Sequence, residues 1–102
     1  MGADIDMLRA LARTILLAGL AAAEPGPATR ASLSAMPLLK PAEGGRRVIV
    51  AIGRNACDMA EAALAAIAAD APDEAAPEAV VVTMAGAARG VPGAWVMRAG
   101  WP

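Results

Sequence analysis

Arg46-Arg47-Val48-Ile49-Val50-Ala51-Ile52-Gly53-Arg54-Asn55-Ala56 decides how this chain folds. Val48, Ile49, Val50 and Ile52 make a continuous β-branched run, the pattern of a strand buried on both faces in a parallel sheet covered by helices. Gly53 closes the strand. A helical pattern follows at residues 55–69, with Met59, Ala63 and Ile67 and their neighbours Ala56, Ala60 and Leu64 giving a small-residue face. Asn55 is the expected cap, and Pro72 lies beyond the end. A strand that turns directly into a helix aims backbone N–H groups and a positive helix dipole at whatever sits over the turn, usually an anion.

Downstream, the acidic loop Asp70-Ala71-Pro72-Asp73-Glu74 leads into a second strand at residues 79–83. A turn punctuated by Gly86, Gly90 and Gly93 follows, and residues 94–98 suit a third strand. Strand, helix and strand over 48–83 predict parallel pairing with a right-handed crossover. Upstream, residues 4–23 read as an amphipathic helix: Leu8, Leu11, Ile15, Ala18 and Ala22 share one side, and Asp6, Arg9 and Arg13 the other. Glu24-Pro25-Gly26-Pro27 is expected to stop it. Residues 28–45 read as a connector with a short helix at 29–36, ended by Pro37, and a loop at Pro41 and Gly44-Gly45. The expected organisation is one partial domain: helix and stop over 1–27, connector over 28–45, and a β-α-β-β unit over 46–102.

Composition narrows the chemistry. The 102 residues fit one small domain, and 58% are hydrophobic, yet Phe and Tyr are absent and Trp occurs twice. The core must therefore be thin, built from Ala, Val, Leu, Ile and Met, and Met59, Met84 and Met97 are expected in it by their spacing. With 9 basic and 10 acidic residues the formal net charge is -1, and no basic patch interleaved with aromatics points to nucleic acid. There is no His, and the single Cys57 can form neither an intrachain disulfide nor a zinc site. Cys57 sits in the first turn of the second long helix, where a thiolate is favoured, but burial as a small hydrophobe is the expectation. Asp70, Asp73 and Glu74 share a loop and read as a solvated run rather than a metal site.

A rival reading takes residues 14–23 as the core of a secretion signal, cleaved after Ala21-Ala22-Ala23 to leave Glu24 first. Asp4 and Asp6 deprive it of the positive start that such signals carry. The apolar run is about half the ~20 residues that a membrane-spanning helix needs. No membrane partner is expected, and the expected location is cytoplasmic.

Open parallel sheets bind ligands beyond the carboxyl ends of their strands. Gly53, Arg54 and Asn55 follow the first strand, and Thr83, Met84 and Gly86 end or follow the second, so both turns open on one edge. Arg54 adds a permanently charged, forked donor beside the free N–H groups of the helix, a combination suited to phosphate or carboxylate. Gly53, Arg54 and Asn55 are the candidate substrate- or phosphate-binding residues, with Thr83 and Gly86 as weaker candidates. The stretch is neither a dinucleotide fingerprint nor a Walker loop, and a tight turn with a solvated arginine remains the plain alternative. No residue stands out as catalytic.

Leu20-Ala21-Ala22-Ala23-Glu24-Pro25, Val48-Ile49-Val50-Ala51-Ile52-Gly53-Arg54-Asn55-Ala56, Val80-Val81-Val82-Thr83 and Ala99-Gly100-Trp101-Pro102 occur in that order. This order resembles the N-terminal region of the ATP-dependent glycerate 2-kinases, the two-lobed type whose second lobe is called the MOFRL domain. The resemblance covers nearly the whole chain. It implies a Rossmann-like first lobe that, with a second lobe, encloses glycerate and ATP with magnesium and phosphorylates the 2-hydroxyl of glycerate. Members typically carry a lysine where this chain has Arg54, a histidine where it has Trp101, and a tyrosine and a histidine where it has Ala85 and Ala87. Arginine keeps the charge but not the compact geometry of an ammonium group.

Phosphoryl transfer needs a metal and several cationic groups around the moving phosphoryl, so no turnover is expected of this chain alone. A truncated reading frame and one part of a split enzyme, completed by a separate second lobe, both fit the resemblance. The competing class is an interaction module without activity. A small sheet with an alanine-faced helix leaves apolar surface bare and calls for a second copy or a separate lobe.

Overall fold

The computed structural model describes residues 2–38 and 40–100. Three strands, β1 (Val48–Ile52), β2 (Glu78–Met84) and β3 (Ala94–Ala99), form one sheet in the order β1-β2-β3. Both pairings are parallel, with Ala51 opposite Val81 and Val81 opposite Val96. Three α-helices accompany them: α1 (Gly2–Ala22), α2 (Pro25–Ala35) and α3 (Ala56–Asp70). α3 is the crossover between β1 and β2, as the expected β-α-β unit requires.

The core lies between α3 and one face of the sheet. Ala56, Cys57 and Ala60 on α3 cluster with Val81 and Val91, and Ala51, Leu64, Ala94 and Val96 pack around them. Alanines carry no bulk beyond Cβ, so the helix axis can approach the strands closely. Ala60 is fully buried, and the largest fully buried side chains are only Val81 and Thr83. The core is as thin as the composition implied.

Four expectations need correction. β1 is not buried on both faces: Val48, Val50 and Ile52 are exposed, and only Ile49 and Ala51 turn toward the helices. An apolar run in a parallel strand says that both faces are suited to burial, not that this chain covers them. Met97 shares that bare face, and Met59 lies on the flank of α3, so both are exposed rather than in the core. The Glu24-Pro25-Gly26-Pro27 stretch stops α1 at Ala22 as expected, but the next helix begins at Pro25 rather than at residue 29. Pro25 sits in the first turn of α2, where its missing N–H costs nothing, and Glu24 N–H donates to the Ala21 carbonyl while its own carbonyl accepts from Ala28. Asn55 occupies the cap position of α3 but makes no side-chain capping bond, because its backbone (φ -98, ψ 13) lies outside the extended region from which a cap reaches back.

α1 contributes no buried residue, and the molecule measures 69 × 36 × 17 Å. Among the described residues no helix is long and apolar enough to cross a membrane. Ion pairs trim the amino edge of the sheet: Arg46 holds Glu78 at 2.6 Å, and Arg47 pairs with Glu74.

Close approach of α3 predicts that Ala60→Leu overpacks the core and lowers stability by roughly 1–3 kcal/mol in urea unfolding. Ala68→Leu, at an exposed position of the same helix, should stay within about 0.5 kcal/mol.

Candidate functional site

At the carboxyl edge of the sheet, β1 ends and the chain reverses into α3 within three residues. Gly53 makes this turn with φ 127, a conformation that a side chain disfavours. Its N–H donates to the Val82 carbonyl at 3.0 Å, and its carbonyl accepts from the Ala56 N–H at 3.3 Å. The turn is thereby fastened to β2 on one side and to the start of α3 on the other. Arg54 and Asn55 lie at its tip, exposed.

Parallel pairing brings the second turn to the same edge, as the sequence implied. Thr83 is in register with Arg98 on β3, and Ile52 with Val82. Thr83 is buried, and its Oγ1 has no hydrogen-bond partner. Gly86 is exposed within a single 3-10 turn, Ala85–Ala87. Ala85 is exposed and Ala87 half-buried, and neither offers a polar side chain. Trp101 and Pro102 lie outside the described residues.

Charge is distributed unevenly between the two edges. At the amino edge Arg46 and Arg47 are neutralised by Glu78 and Glu74. At the carboxyl edge Arg54 and Arg98 make no ion pair among the described residues, and they flank β2 from either side. The strands β1 and β3 themselves stand two strand spacings, about 10 Å, apart. Together with the amino end of α3, they make this edge the favourable side for a small anion.

Two further residues shape the edge, and sequence reading did not single them out. Arg98 follows Val96 by two positions on β3, so strand alternation carries it to the α3 face; the signal was there in the period of the strand. Arg89 bridges Asp58 at 2.6 Å and Glu61 at 2.7 Å, one turn apart on α3. The hydrogen bonds that it donates to Asp58 and then to Glu61 raise its pKa further above the ordinary guanidinium range. The Arg89 carbonyl lies 3.8 Å from the buried Cys57 Sγ, so the segment after β2 is pinned over the first turns of α3. Only the fold brings Arg89 to these carboxylates, across 31 and 28 residues of sequence.

The site is an open edge rather than a hollow. Hollows of about 660 and 600 Å³ lie on the outer side of α3 and along β1 beneath α2, and neither is lined by Gly53, Arg54, Asn55 or Thr83. Its donors suit phosphate or carboxylate groups. They do not suit a magnesium ion: the nearest acid in sequence, Asp58, is already held by Arg89, and among the described residues no group of three potential ligands gathers.

Residues 11–102 match the family model described as "Domain of unknown function (DUF4147)". The chain belongs to the DUF4147 family. The match takes in the β1 turn, α3 and both later strands, so the carboxyl edge lies wholly within the DUF4147 region. No curated protein and no solved structure matches the chain.

The positive φ at Gly53 predicts that Gly53→Ala destabilises the fold by about 1–3 kcal/mol in urea unfolding. Gly86→Ala, with open space around it and no positive φ, should change stability by no more than about 0.5 kcal/mol.

Proposed function

We propose that this chain supplies one wall of the substrate cleft of a glycerate 2-kinase-like protein, with the β1 turn as its anion-binding element. The observation that carries the reading is Arg54, exposed and with no ion pair among the described residues, at the amino end of α3, at the position where the resembling kinases have a lysine. Membership of the DUF4147 family supports it, since this region is typical of the N-terminal part of MOFRL-associated glycerate kinases. Glycerate brings a carboxylate and ATP a phosphate chain, and both match the donors at this edge. Asn55 and Thr83 are secondary contacts in this reading, and the backbone at Gly53 lets the ligand approach closely.

The same residues argue against turnover by this chain alone. Stabilising a moving phosphoryl group takes a metal and several cations, and this edge offers Arg54 and Arg98 with no free carboxylate set. A separate second lobe would have to bring the remaining groups. A second reading, an interaction module that pairs with another lobe or another copy, is favoured by the bare face of the sheet.

Titration of the purified chain with ATP and Mg²⁺, and separately with glycerate, tests the proposal. Saturable binding is expected, weakened about tenfold or more by Arg54→Ala, the loss that goes with one charged hydrogen bond. Absence of binding, or an unchanged affinity in the variant, would overturn the anion-site reading. In the same samples no glycerate phosphorylation is expected, and robust phosphorylation would refute the claim of an incomplete site.

A further inference from the structure

Residues 85–90, which leave β2 at the carboxyl edge on the way to β3, form a strap between two buried anchors. Thr83, 2% exposed, lies just before it, and Val91, 4% exposed, fixes its end in the core cluster. Between the anchors no side chain is buried: Ala85, Gly86, Arg89 and Gly90 are exposed, and Ala87 and Ala88 are half-buried. The single 3-10 turn Ala85–Ala87 is closed only within the strap, by the Ala88 N–H on the Ala85 carbonyl at 3.4 Å. Burial does not hold this segment down.

Arg89 does. Its guanidinium donates to Asp58 Oδ1 at 2.6 Å and to Glu61 Oε2 at 2.7 Å, so one side chain forks onto two carboxylates a turn apart on α3. It also donates to the Gly90 carbonyl at 3.4 Å, which ties the side chain back to its own strap. The Arg89 carbonyl in turn accepts from the Cys57 thiol, with Sγ 3.8 Å away. The strap therefore rests on Cys57 in the first turn of α3, and Cys57 is only 3% exposed.

The two kinds of contact differ in strength. Arg89 is 42% exposed, and Asp58 and Glu61 are each 55% exposed. Ion pairs so open to water are weak and are screened by salt. The helix beneath is held instead by the packing of Ala56, Cys57 and Ala60 against Val81 and Val91, which does not depend on charge. A segment without buried contacts of its own opens at lower cost than the core on which it rests.

We infer that residues 85–90 are a strap latched by Arg89 onto Asp58 and Glu61, which opens while β2 and α3 stay folded and, when shut, covers Cys57 at the start of α3. Every contact of the latch lies within this chain. It involves none of Gly53, Arg54 or Asn55 and no ligand, so it stands or falls apart from the anion-site reading.

Cys57 is the only cysteine, so its alkylation by N-ethylmaleimide, an uncharged reagent, reads the latch. In the unaltered chain the rate at low urea should be independent of urea, as for a local opening. It should rise several-fold as NaCl is raised to about 1 M, where the Debye length is ~3 Å. Arg89→Gln should raise the rate about fivefold or more and abolish the salt effect, with the urea midpoint of unfolding scarcely moved. Asp58→Asn combined with Glu61→Gln removes the other half of the latch and should give the same rate, with no further gain when Arg89→Gln is added. These variants change the charge beside the thiol in opposite directions, so a common rise reports opening rather than altered thiol chemistry. Arg46→Gln, which breaks an exposed ion pair at the amino edge, should leave the rate unchanged. The proposal is overturned if alkylation of the unaltered chain climbs with urea in step with global unfolding from the outset. It is equally overturned if the latch variants react at the unaltered rate, or if one speeds the reaction and the other slows it.

Discussion

The rest of the structure depends on how closely α3 lies against the sheet. Ala56, Cys57 and Ala60 meet Val81 and the neighbouring Ala51 with almost no side-chain bulk between the backbones. That closeness fixes the amino end of α3 beside the end of β1, so Gly53 must turn the chain in three residues and Arg54 is delivered to the tip. It also fixes Asp58 and Glu61, which hold Arg89 and with it the segment after β2. One helix therefore places both turns of the carboxyl edge. The cost is a shallow core: alanines bury little apolar area each, and hydrophobic stabilisation scales with that area.

The two faces of the sheet differ for a separate reason. Bulkier residues in the core would hold the crossover helix farther from the strands and loosen the edge where Arg54 sits. Trp95 and Met97 lie on the opposite face, which no helix among the described residues covers, so their exposure owes nothing to the alanine core.

Much of the fold was legible because its signals are local. The β-branched run ending at Gly53, the alanine face of α3 and the Val80-Val81-Val82 run fix the β-α-β unit by period alone. What could not be read depends on neighbours distant in sequence. Whether Val48, Val50 and Ile52 meet a helix or solvent is decided by elements outside the strand, and their spacing is silent on that. The Glu24-Pro25-Gly26-Pro27 stretch both stops one helix and starts another, and the stop was the more visible half. At the candidate site, the position of Gly53, Arg54 and Asn55 in one turn was legible from the strand-to-helix junction. The bridge from Arg89 to Asp58 and Glu61 was not, because pairing across 28 to 31 residues leaves no periodic trace.

The central claim is that the β1 turn and the amino end of α3 form the anion-binding edge. Amide NMR shifts, recorded while phosphate is added to the isotopically labelled chain at constant ionic strength, test this most directly. Saturable shifts confined to Arg54, Asn55, Ala56 and Cys57, extending to Thr83 across the sheet, are predicted. Shifts that never saturate, or that centre on Arg46 and Arg47 at the opposite edge, would contradict it.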